Sequence, residues 1–439
     1  MGFAAPAVLT VFVIAYVFVF LEEKLHLRKS KPVMVAAGLI WILVGLGLAS
    51  ENRGTEVTDQ IRHVMLEYAE LLLFLLSAMS FVNALVERRL FDALRARLTA
   101  AKISVRGIFW LTGVGAFFLS PIADNLTTAL VMGAIAVSAL SGHKKALVIT
   151  LVSIVVAANA GGAFSPFGDI TTLMVWQKGK VEFFEFLDLF VPSALNWLVP
   201  ALIMSLFLPR DGIAASNERI AVRRGGFVIA GLFLFTIAGT VTLDHTLHLP
   251  PFLGMMTGLG LLNLYGYFLH GYEARTCASL NPDNGEKPFN IFHILEKVEW
   301  DTLLFFYGIM LCVGGLASVG YLHHMSAFLY EGYGPTTANI VIGVLSAIVD
   351  NIPLTYAVLL MEPVMSHGEW LLVTLTAGTG GSLLSIGSAA GVALMGTSNG
   401  LYTFGSHLKW IWAVALGYAI SIAAHILLNA ALFTEFRKP

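Results

Sequence analysis

Runs of apolar residues long enough to cross a lipid bilayer recur along almost the whole chain. A transmembrane helix needs about twenty predominantly apolar residues, and 57% of the 439 residues here are hydrophobic while only 12% are charged. Helical spans are predicted near residues 3–21, 33–50, 64–86, 146–177, 191–208, 227–243, 250–269, 301–320, 370–397 and 410–433. Because backbone polar groups inside a bilayer must be hydrogen-bonded within the protein, this pattern predicts an all-α polytopic membrane protein and excludes a soluble globule.

The first apolar run is predicted to stay in the protein as a transmembrane helix within residues 1–32. No basic residue precedes it, unlike in a cleaved signal peptide. The chain has only two cysteines, Cys277 in a predicted loop and Cys312 in a predicted span, so no disulfide framework is expected. The lipid bilayer is the expected surrounding, and no nucleic-acid partner is expected.

An Asp-Asn pair interrupts the apolar sequence twice. Asp124-Asn125 lies in SPIADNLTTAL and Asp350-Asn351 in SAIVDNIPLTYAVLL. Each pair divides a stretch, 107–141 or 336–366, into apolar arms of about a dozen residues, which are too short to cross the membrane singly. We therefore predict two re-entrant helical hairpins, which are stable at membrane depth only when they are buried in protein or line a wet cavity. Their carboxylates indicate a functional site, because intramembrane charge is costly.

A glycine-rich polar interruption follows each hairpin within the next apolar span. Residues 159–169, NAGGAFSPFGD, align without a gap to residues 378–388, GTGGSLLSIGS. The two segments share a glycine pair, Gly161-Gly162 and Gly380-Gly381. The spans 146–177 and 370–397 are therefore predicted to be broken transmembrane helices. Two interrupted apolar segments in corresponding halves are typical of the binding site of a secondary transporter.

The basic residues predict the orientation. With the N-terminus outside, ten crossings and two hairpins place all but six of the 26 Lys and Arg residues in cytoplasmic loops, as the positive-inside rule requires. The six on the other face are Arg53, Arg62, Lys178, Lys180, Arg437 and Lys438. The first hairpin is then expected to enter from the cytoplasm and the second from the opposite face.

Internal similarity predicts an inverted repeat. Residues 70–79, ELLLFLLSAM, align with 301–310, DTLLFFYGIM, and each precedes a hairpin and then a broken helix. The first repeat is predicted to be 33–208 and the second 250–439, separated by a connecting loop and linking helix at 209–249. The odd number of spans between them inverts the second repeat and brings two half-sites face to face. Segments 181–190 and 401–410 are predicted to be short interfacial helices.

The hairpin motifs around the two Asp-Asn pairs and the two glycine-rich segments together resemble the NhaD-type sodium/proton antiporters of the ion transporter superfamily. The resemblance spans nearly the whole chain. It implies a homodimeric antiporter of the bacterial inner membrane, with a periplasmic N-terminus in our topology. It also implies export of Na⁺ or Li⁺ against H⁺ by an elevator-like moving domain. No catalytic residue is expected, and no cofactor beyond the transported ions.

The chemistry of the breaks agrees with a cation site. Na⁺ is a hard cation and prefers carboxylate, amide, hydroxyl and carbonyl oxygens. The first half-site is predicted to comprise Asp124, Asn125, Asn159, Ser165, Asp169 and Thr172. Its counterpart is predicted to comprise Asp350, Asn351, Thr379, Ser385 and Ser388. The first half-site has two acids and the second has one, so the first is expected to bind more tightly. The Na⁺ ligands are expected to include Asp124, Asn125, Asp169, Asp350 and Asn351.

Competition between ions would couple the two fluxes. Burial disfavours the charged form of a carboxylate, and a bound cation favours it, so one group can hold a proton or help to hold Na⁺. Glu70 and Asp301 are secondary candidates, although each lies near a helix end and could snorkel to the interface. Capping is the alternative role for the three acids of the breaks, since Asp is a strong N-cap.

Three rival functions share some of these features. The first is an Na⁺- or H⁺-coupled anion permease for dicarboxylate or arsenite, which the same superfamily includes; three acids and no basic residue in the breaks disfavour it. The second is an intramembrane aspartyl protease, since residues 167–169, FGD, are faintly similar to the GxGD signature, but Pro166 replaces the first glycine. The third is a passive cation channel, which inverted hairpins disfavour.

Overall fold

The apolar segments of the described part of the chain form helices. The computed structural model describes residues 4–25, 27–50, 53–100, 103–140, 142–211, 220–280, 288–398 and 400–436. Five basic residues used in the topology prediction lie outside these ranges: Lys102, Arg219, Lys287, Arg437 and Lys438. Cys277, expected in a loop, lies in a helix that continues to Leu280. The fold is therefore the all-α polytopic class predicted.

The long helices follow the predicted order. They are Ala4–Phe20, Ser30–Ala49, Gly54–Glu87, Leu90–Ala100, Val105–Ala123, Asn125–Ala139, Lys144–Gly162, Ile170–Gln177, Phe190–Ser205, Gly226–Leu247, Pro251–Leu280, Trp300–Ser318, Pro335–Leu345, Asn351–Met361, His367–Gly380, Ala389–Thr397 and Ile411–Leu428. The predicted interfacial segments contain a 3-10 helix, Phe183–Leu189, and a short α-helix, Phe404–Leu408. Further short helical turns are Glu22–Leu25, Ile291–Glu296, Tyr321–Ser326, Ala327–Glu331 and Ala430–Thr434.

Within the described residues, nine helices are long and apolar enough to cross a membrane. Ten crossings were predicted, and the two sets differ at three places. Ala4–Phe20 is apolar but has only 17 residues, and the second broken helix contributes no single long helix. Val105–Ala123, predicted as a hairpin arm, is long enough to be counted. The chain is a multi-pass integral membrane protein on this criterion and on its composition.

The chain divides into two compact units. The first unit comprises Met1–Ala96 and Glu218–Val319, and the second comprises Arg97–Asn217 and Gly320–Pro439. Within the first unit, Trp300–Ser318 packs on Ser30–Ala49. Within the second unit are both hairpins, both broken helices, and the packed pair Phe190–Ser205 and Ile411–Leu428. Each unit therefore takes segments from both predicted repeats.

The arms of the first hairpin are longer than predicted. Val105–Ala123 and Asn125–Ala139 have 19 and 15 residues, are joined at Asp124 and pack against each other. The expectation of arms of about a dozen residues is wrong here for two reasons. Ser104 caps the first arm early, accepting the Gly107 N–H at 3.1 Å, and the helix continues through Pro121 to Ala123 although proline has no N–H to donate to the carbonyl four residues earlier.

The second hairpin has shorter arms and a longer connection. Pro335–Leu345 and Asn351–Met361 have 11 residues each, which is too short to cross a membrane singly. The first arm packs on His367–Gly380, and the second contacts Ile170–Gln177. The two hairpins are thus built differently, although each is centred on an Asp-Asn pair. Their re-entrant character remains a prediction.

Both predicted broken helices are interrupted at the glycine-rich segments. The first stops at Gly162 and resumes at Ile170, and the second stops at Gly380 and resumes at Ala389. The two glycine pairs are close-packing points. A Cβ atom on Gly161 would collide with the carbonyl oxygen of Phe117 in the first hairpin, and one on Gly380 would collide with that of Gly343 in the second.

A matched pair of serines joins each hairpin to its broken helix. Ser120 stands four residues before Asp124, and its hydroxyl donates to the Ala158 carbonyl at 2.6 Å. Ser346 stands four residues before Asp350, and its hydroxyl donates to the Ala377 carbonyl at 2.8 Å. Ala158 and Ala377 are themselves equivalent in the alignment of the two glycine-rich segments. The hairpin tips are therefore fixed to the broken helices in the same way in both halves.

Candidate cation site

Asp169 is the carboxylate around which buried polar groups of the second unit gather. The residue is 5% exposed and is the N-cap of Ile170–Gln177. The Thr171 backbone N–H donates to Asp169 Oδ1 at 3.0 Å, and the Thr171 hydroxyl donates to the same oxygen at 3.1 Å. The capping bond satisfies an N–H group that the helix leaves unpaired. The end of the helix that favours negative charge thus faces this carboxylate.

Two asparagine amides, one from each hairpin, donate to Asp169. Nδ2 of Asn125 lies 2.9 Å from Asp169 Oδ2. Nδ2 of Asn351 lies 3.1 Å from the same oxygen and 3.4 Å from Oδ1. Each asparagine is the first residue of the second arm of its hairpin. Residues predicted for different half-sites therefore meet at one carboxylate.

Asn159 extends this cluster to the second broken helix. Its Oδ1 accepts from Asn125 Nδ2 at 3.2 Å, and its Nδ2 donates to the Ser388 hydroxyl oxygen at 3.0 Å. Ser388 is the N-cap of Ala389–Thr397 and accepts the Gly391 N–H at 3.3 Å. Ser388 and Asp169 are thus equivalent in role as well as in alignment. Asn159 is fully buried and Ser388 is 2% exposed, so this connection lies in the interior.

Asp124 combines a capping role with a strained backbone. Its Oδ1 accepts the Thr127 N–H at 2.7 Å, and its Oδ2 accepts the Thr127 hydroxyl at 3.0 Å. The capping role considered above is therefore real at this position. Its backbone has φ 59° and ψ 164°, a conformation near the region that only glycine occupies without strain. Strain of this kind is concentrated at functional sites.

Asp350 begins the second arm of its hairpin without a capping bond. Its side chain does not cap the helix that it precedes, in contrast to Asp124. It is half-buried and lies close enough to Asp169 for the two carboxylates to repel each other. A cation between or beside the two groups would relieve that repulsion.

Four further predicted residues have local roles in the structure. The Ser165 hydroxyl donates to the Pro121 carbonyl at 2.9 Å, and the Thr172 hydroxyl donates to the carbonyls of Ser165 and Asp169 at 2.8 and 2.6 Å. These bonds shape the break of the first broken helix around the cluster. The Thr379 hydroxyl donates to Leu375 within its own helix, and the Ser385 hydroxyl donates to the Met395 sulfur. The structure therefore does not bring Thr379 and Ser385 into the hydrogen-bonded cluster.

Comparison with known proteins shows what this chain is similar to. A family profile described as "Citrate transporter" matches residues 2–378. The Na⁺/H⁺ antiporter NhaD of Alkalimonas amylolytica is 55% identical over 438 residues, which cover 97% of this chain and 91% of that protein. The NhaD of Vibrio cholerae is 53% identical over 447 residues, covering 99% and 93%. Sodium/proton antiporter 1 of Arabidopsis thaliana is 32% identical over 440 residues, covering 96% and 72%.

The chain belongs to the NhaD family. Identity above half over nearly the full length of two curated relatives decides this, and the resemblance found in the hairpin and glycine motifs is confirmed.

The secondary candidates lie in the other unit of this NhaD-family chain. Glu70 and Asp301 belong to the first unit, and both are half-buried. The Ser30 hydroxyl donates to Asp301 Oδ1, which connects the starts of two packed helices. This contact gives Asp301 a structural role within its unit. The cluster around Asp169 lies entirely in the second unit.

Sequence reasoning missed three residues that build the NhaD cluster. Thr171 gives Asp169 two of its hydrogen bonds, and an Asp-x-Thr sequence at a helix start is a recognisable capping signal. Ser120 and Ser346 hold the hairpin tips, as described above. Their signal was present in the sequence, because both stand at the same distance before an Asp-Asn pair.

Proposed function

We propose that this chain exchanges Na⁺, and also Li⁺, for H⁺ across the membrane at the cluster around Asp169. The observation that carries the proposal is one buried carboxylate bonded to amides from both hairpins. The antiporter names of relatives that cover the chain almost completely support it. They also count against the intramembrane protease considered from the FGD sequence.

The coupling follows from what one carboxylate can bind. With a proton on Asp169, the site is electrically neutral at that residue and a cation has lost its strongest ligand. Without the proton, the carboxylate attracts Na⁺, and the amide oxygens of Asn125 and Asn351 would become further hard ligands once these side chains rotated, since both amides present Nδ2 to Asp169 in this structure. Proton and cation are therefore alternatives at Asp169. The protein does not change sides with this carboxylate ionised and unoccupied, because an unpaired charge in the membrane is costly.

Asp350 and Asp124 complete the proposed site from the two hairpin tips. Asp350 directly precedes Asn351, whose amide donates to Asp169, so we assign it a direct share in cation binding. Asp124 keeps Thr127 in place through both of its oxygens. A cation that approached Asp124 would add to this arrangement, since a carboxylate has lone pairs for more than two partners.

The proposed transport cycle moves the second unit as one body. All members of the cluster belong to that unit, and the matched serine bonds fix both hairpins to their broken helices. These features support an inverted repeat with hairpins that enter from opposite faces. We further propose a homodimer in the bacterial inner membrane with the N-terminus in the periplasm.

Anion uptake coupled to Na⁺ or H⁺ is the second candidate. The description of the matching family profile, "Citrate transporter", favours it. The chemistry of the cluster disfavours it, because Asp169 and Asp350 would repel a carboxylate substrate. A dicarboxylate would need a basic residue beside these acids to balance its charge.

Flux measurements in proteoliposomes test the proposal. Under an imposed ΔpH, wild-type protein should dissipate the gradient on addition of Na⁺ or Li⁺ and not on addition of citrate, succinate or arsenite. Asp169→Asn should weaken the apparent Na⁺ affinity at least about 30-fold, since loss of a buried, hydrogen-bonded charge costs about 2 kcal/mol or more.

Asp59→Asn is the matched control, because it makes the same chemical change at a carboxylate whose side chain is 79% exposed. It should exchange Na⁺ as wild type does. Normal exchange by Asp169→Asn would remove Asp169 from the site, and uptake of an anion without Na⁺/H⁺ exchange would establish the second candidate instead.

A further inference from the structure

A groove lies between the first two long helices of the first unit. It has a volume of about 390 Å³ and runs between Ala4–Phe20 and Ser30–Ala49. Its lining is apolar apart from the side chain of Lys31, and includes Ile14, Phe18, Val35 and Leu39, which are 52%, 41%, 64% and 47% exposed. Grooves of a few hundred cubic ångströms are of the size that holds a small ligand.

The shape of the groove follows from how the two helices meet. At one end they touch closely, because a Cβ atom on Gly47 would lie 2.8 Å from that of Ala4. Phe18 and Lys31 line the groove near the connection between the two helices. The basic residues Arg28, Lys29 and Lys31 are therefore at this end.

Two of the cations at this end of the groove have no ion-pair partner among the described residues. Arg28 and Lys31 are exposed, and among the described residues no carboxylate pairs with either. Lys29 between them differs, since its ammonium group lies 4.4 Å from the centroid of the Phe305 ring and interacts with Glu299. The stem of Lys31 lines the groove, which leaves its ammonium group at the rim. Among the described residues, one cation without an ion pair thus borders the apolar groove, and a second precedes it by three residues.

We propose that this groove binds one anionic phospholipid. An acyl chain would lie along Ile14, Val35 and Leu39, and the phosphate would contact Lys31 and Arg28. Basic groups between transmembrane helices attract anionic headgroups, and a long apolar groove rewards burial of an alkyl chain. Other ligand classes would contact only one part of the site. A soluble anion would contact the cations and leave the groove empty, and an apolar molecule would fill the groove without contacting the cations.

A second copy of the chain is a less suitable occupant. The exposed lining is narrow and is bordered by the two unpaired cations, which would repel the same cations of a partner brought there by twofold symmetry. A phospholipid neutralises the charge and fills the groove at once.

Native mass spectrometry of the full chain with added lipids tests the assignment. Wild-type protein in detergent should retain dioleoyl phosphatidylglycerol in preference to dioleoyl phosphatidylcholine, which has the same acyl chains. Lys31→Gln should reduce that preference about fivefold, the factor for about one basic residue near a membrane surface. Lys145→Gln, at another exposed lysine, should leave it unchanged.

Filling the groove tests the acyl chain. Val35→Trp should reduce binding of both lipids, while Val13→Trp should not, since Val13 is 50% exposed on the neighbouring helix and does not line the groove. Both positions are exposed, so the fold should tolerate either change, and a symmetrical size-exclusion peak checks this.

Five results would overturn the proposal. The first four are equal retention of the two lipids by wild-type protein, an unchanged preference in Lys31→Gln, unchanged lipid binding in Val35→Trp, and competition by glycerol phosphate as effective as that of the intact lipid. Dissociation of a dimer by Val35→Trp would also overturn it, because the groove would then be an interface between copies.

Discussion

At the scale of single residues, substitutions of Asp124 can separate the effect of its backbone strain from that of its charge. Its φ of 59° is strained for aspartate and ordinary for glycine. We predict that Asp124→Gly retains a melting temperature near that of wild type, because relief of strain of about 1–3 kcal/mol offsets the lost cap and the added chain entropy. Asp124→Ala should melt lower, since it keeps the strain and loses the cap. Thermal unfolding in detergent measures both.

Transport measurements on Asp124→Gly and Asp124→Ala separate the structural role of Asp124 from its role in ion binding. Both variants should lose Na⁺/H⁺ exchange, because neither has a carboxylate. If Asp124→Gly exchanged Na⁺ normally, Asp124 would be a conformational residue only. If the two variants melted at the same temperature, the positive φ would not be felt as strain.

We predict that the affinity for Na⁺ depends on pH through protonation of Asp169. Protonation removes the charged form that binds the cation, so the half-saturating Na⁺ concentration should rise as pH falls. The rise should be tenfold per pH unit for each competing proton below the pKa of the group, and it should level off above that pKa. In Asp169→Asn one competing proton is lost and the slope should flatten.

Two measurements check this slope. For active protein, Na⁺-induced collapse of ΔpH across a pH series gives the half-saturating Na⁺ concentration at each pH. For inactive variants, Na⁺-dependent thermal stabilisation gives the same quantity, because a ligand that binds the folded state raises the melting temperature. A constant half-saturating Na⁺ concentration with a maximal rate that falls in acid would contradict competition. A separate pH-gating element would then be required.

Which residues the sequence could identify depends on what fixes their side chains. The Asp-Asn pairs and Asp169 stand where the helices break, so their polar groups have few helical partners and must bond to one another. Thr379 lies inside a helix that continues to Gly380, where a threonine hydroxyl can bond to the carbonyl four residues earlier. Its rotamer, and so its absence from the cluster, follows from packing that the sequence does not state.

At the scale of elements, the paired glycines should be as important as the charges. We predict that Gly161→Ala and Gly380→Ala each lower stability by about 1–3 kcal/mol, the usual cost of overpacking, because each new methyl group would meet a backbone carbonyl of a hairpin. A backbone atom cannot turn away as a flexible side chain can. Thermal unfolding in detergent measures the loss.

Gly396→Ala is the matched control for these variants. It lies in the second half of the second broken helix with open space where a Cβ atom would be. Because alanine favours helix by about 1 kcal/mol over glycine, its stability should stay the same or increase. A loss as large as that of Gly380→Ala would show that helix flexibility, and not close packing, is the property that matters.

The order of helices was predictable because breaks and apolar runs are local properties. The lengths of the hairpin arms were not, since the end of a helix depends on its caps. Ser104 extends the first arm at its start, and Pro121 is accommodated near its end. The second hairpin, with 11-residue arms, agrees better with the expected length because Pro335 and Glu362 bound it closely.

At the scale of the whole molecule, the predicted orientation has a direct test. In a background with Cys277 and Cys312 replaced, Lys144→Cys should react with a membrane-impermeant maleimide only from the cytoplasm, and Tyr333→Cys only from outside. The two positions flank different hairpins, and both side chains are exposed. Position 333 is chosen over 334 because Gly334 has a positive φ.

Labelling of intact cells must be compared with labelling after lysis. Prior lysis should make both cysteines reactive, which shows that neither is buried. Reaction of both from one side of intact cells would contradict the inverted repeat, and with it the opposite entry of the two hairpins.

The division into two units could not be read from the sequence. The predicted repeats are continuous, whereas each compact unit joins two separated segments of the chain. Sequence similarity records how segments are related, and only contacts record which segments pack together. The glycine and serine contacts of the second unit, which involve atoms of the backbone, are the physical basis of that grouping.

The amide contacts with Asp169 determine where a loaded and an empty protein would differ. Asn125 and Asn351 both present N–H groups to the carboxylate, and an N–H group cannot coordinate a cation. For Na⁺ to bind there, each amide must rotate to turn its carbonyl oxygen inward, a half-turn that leaves the helix backbone in place. Superposed backbone traces would then miss the event, while the side-chain amide signals of these two asparagines in NMR spectra would report it.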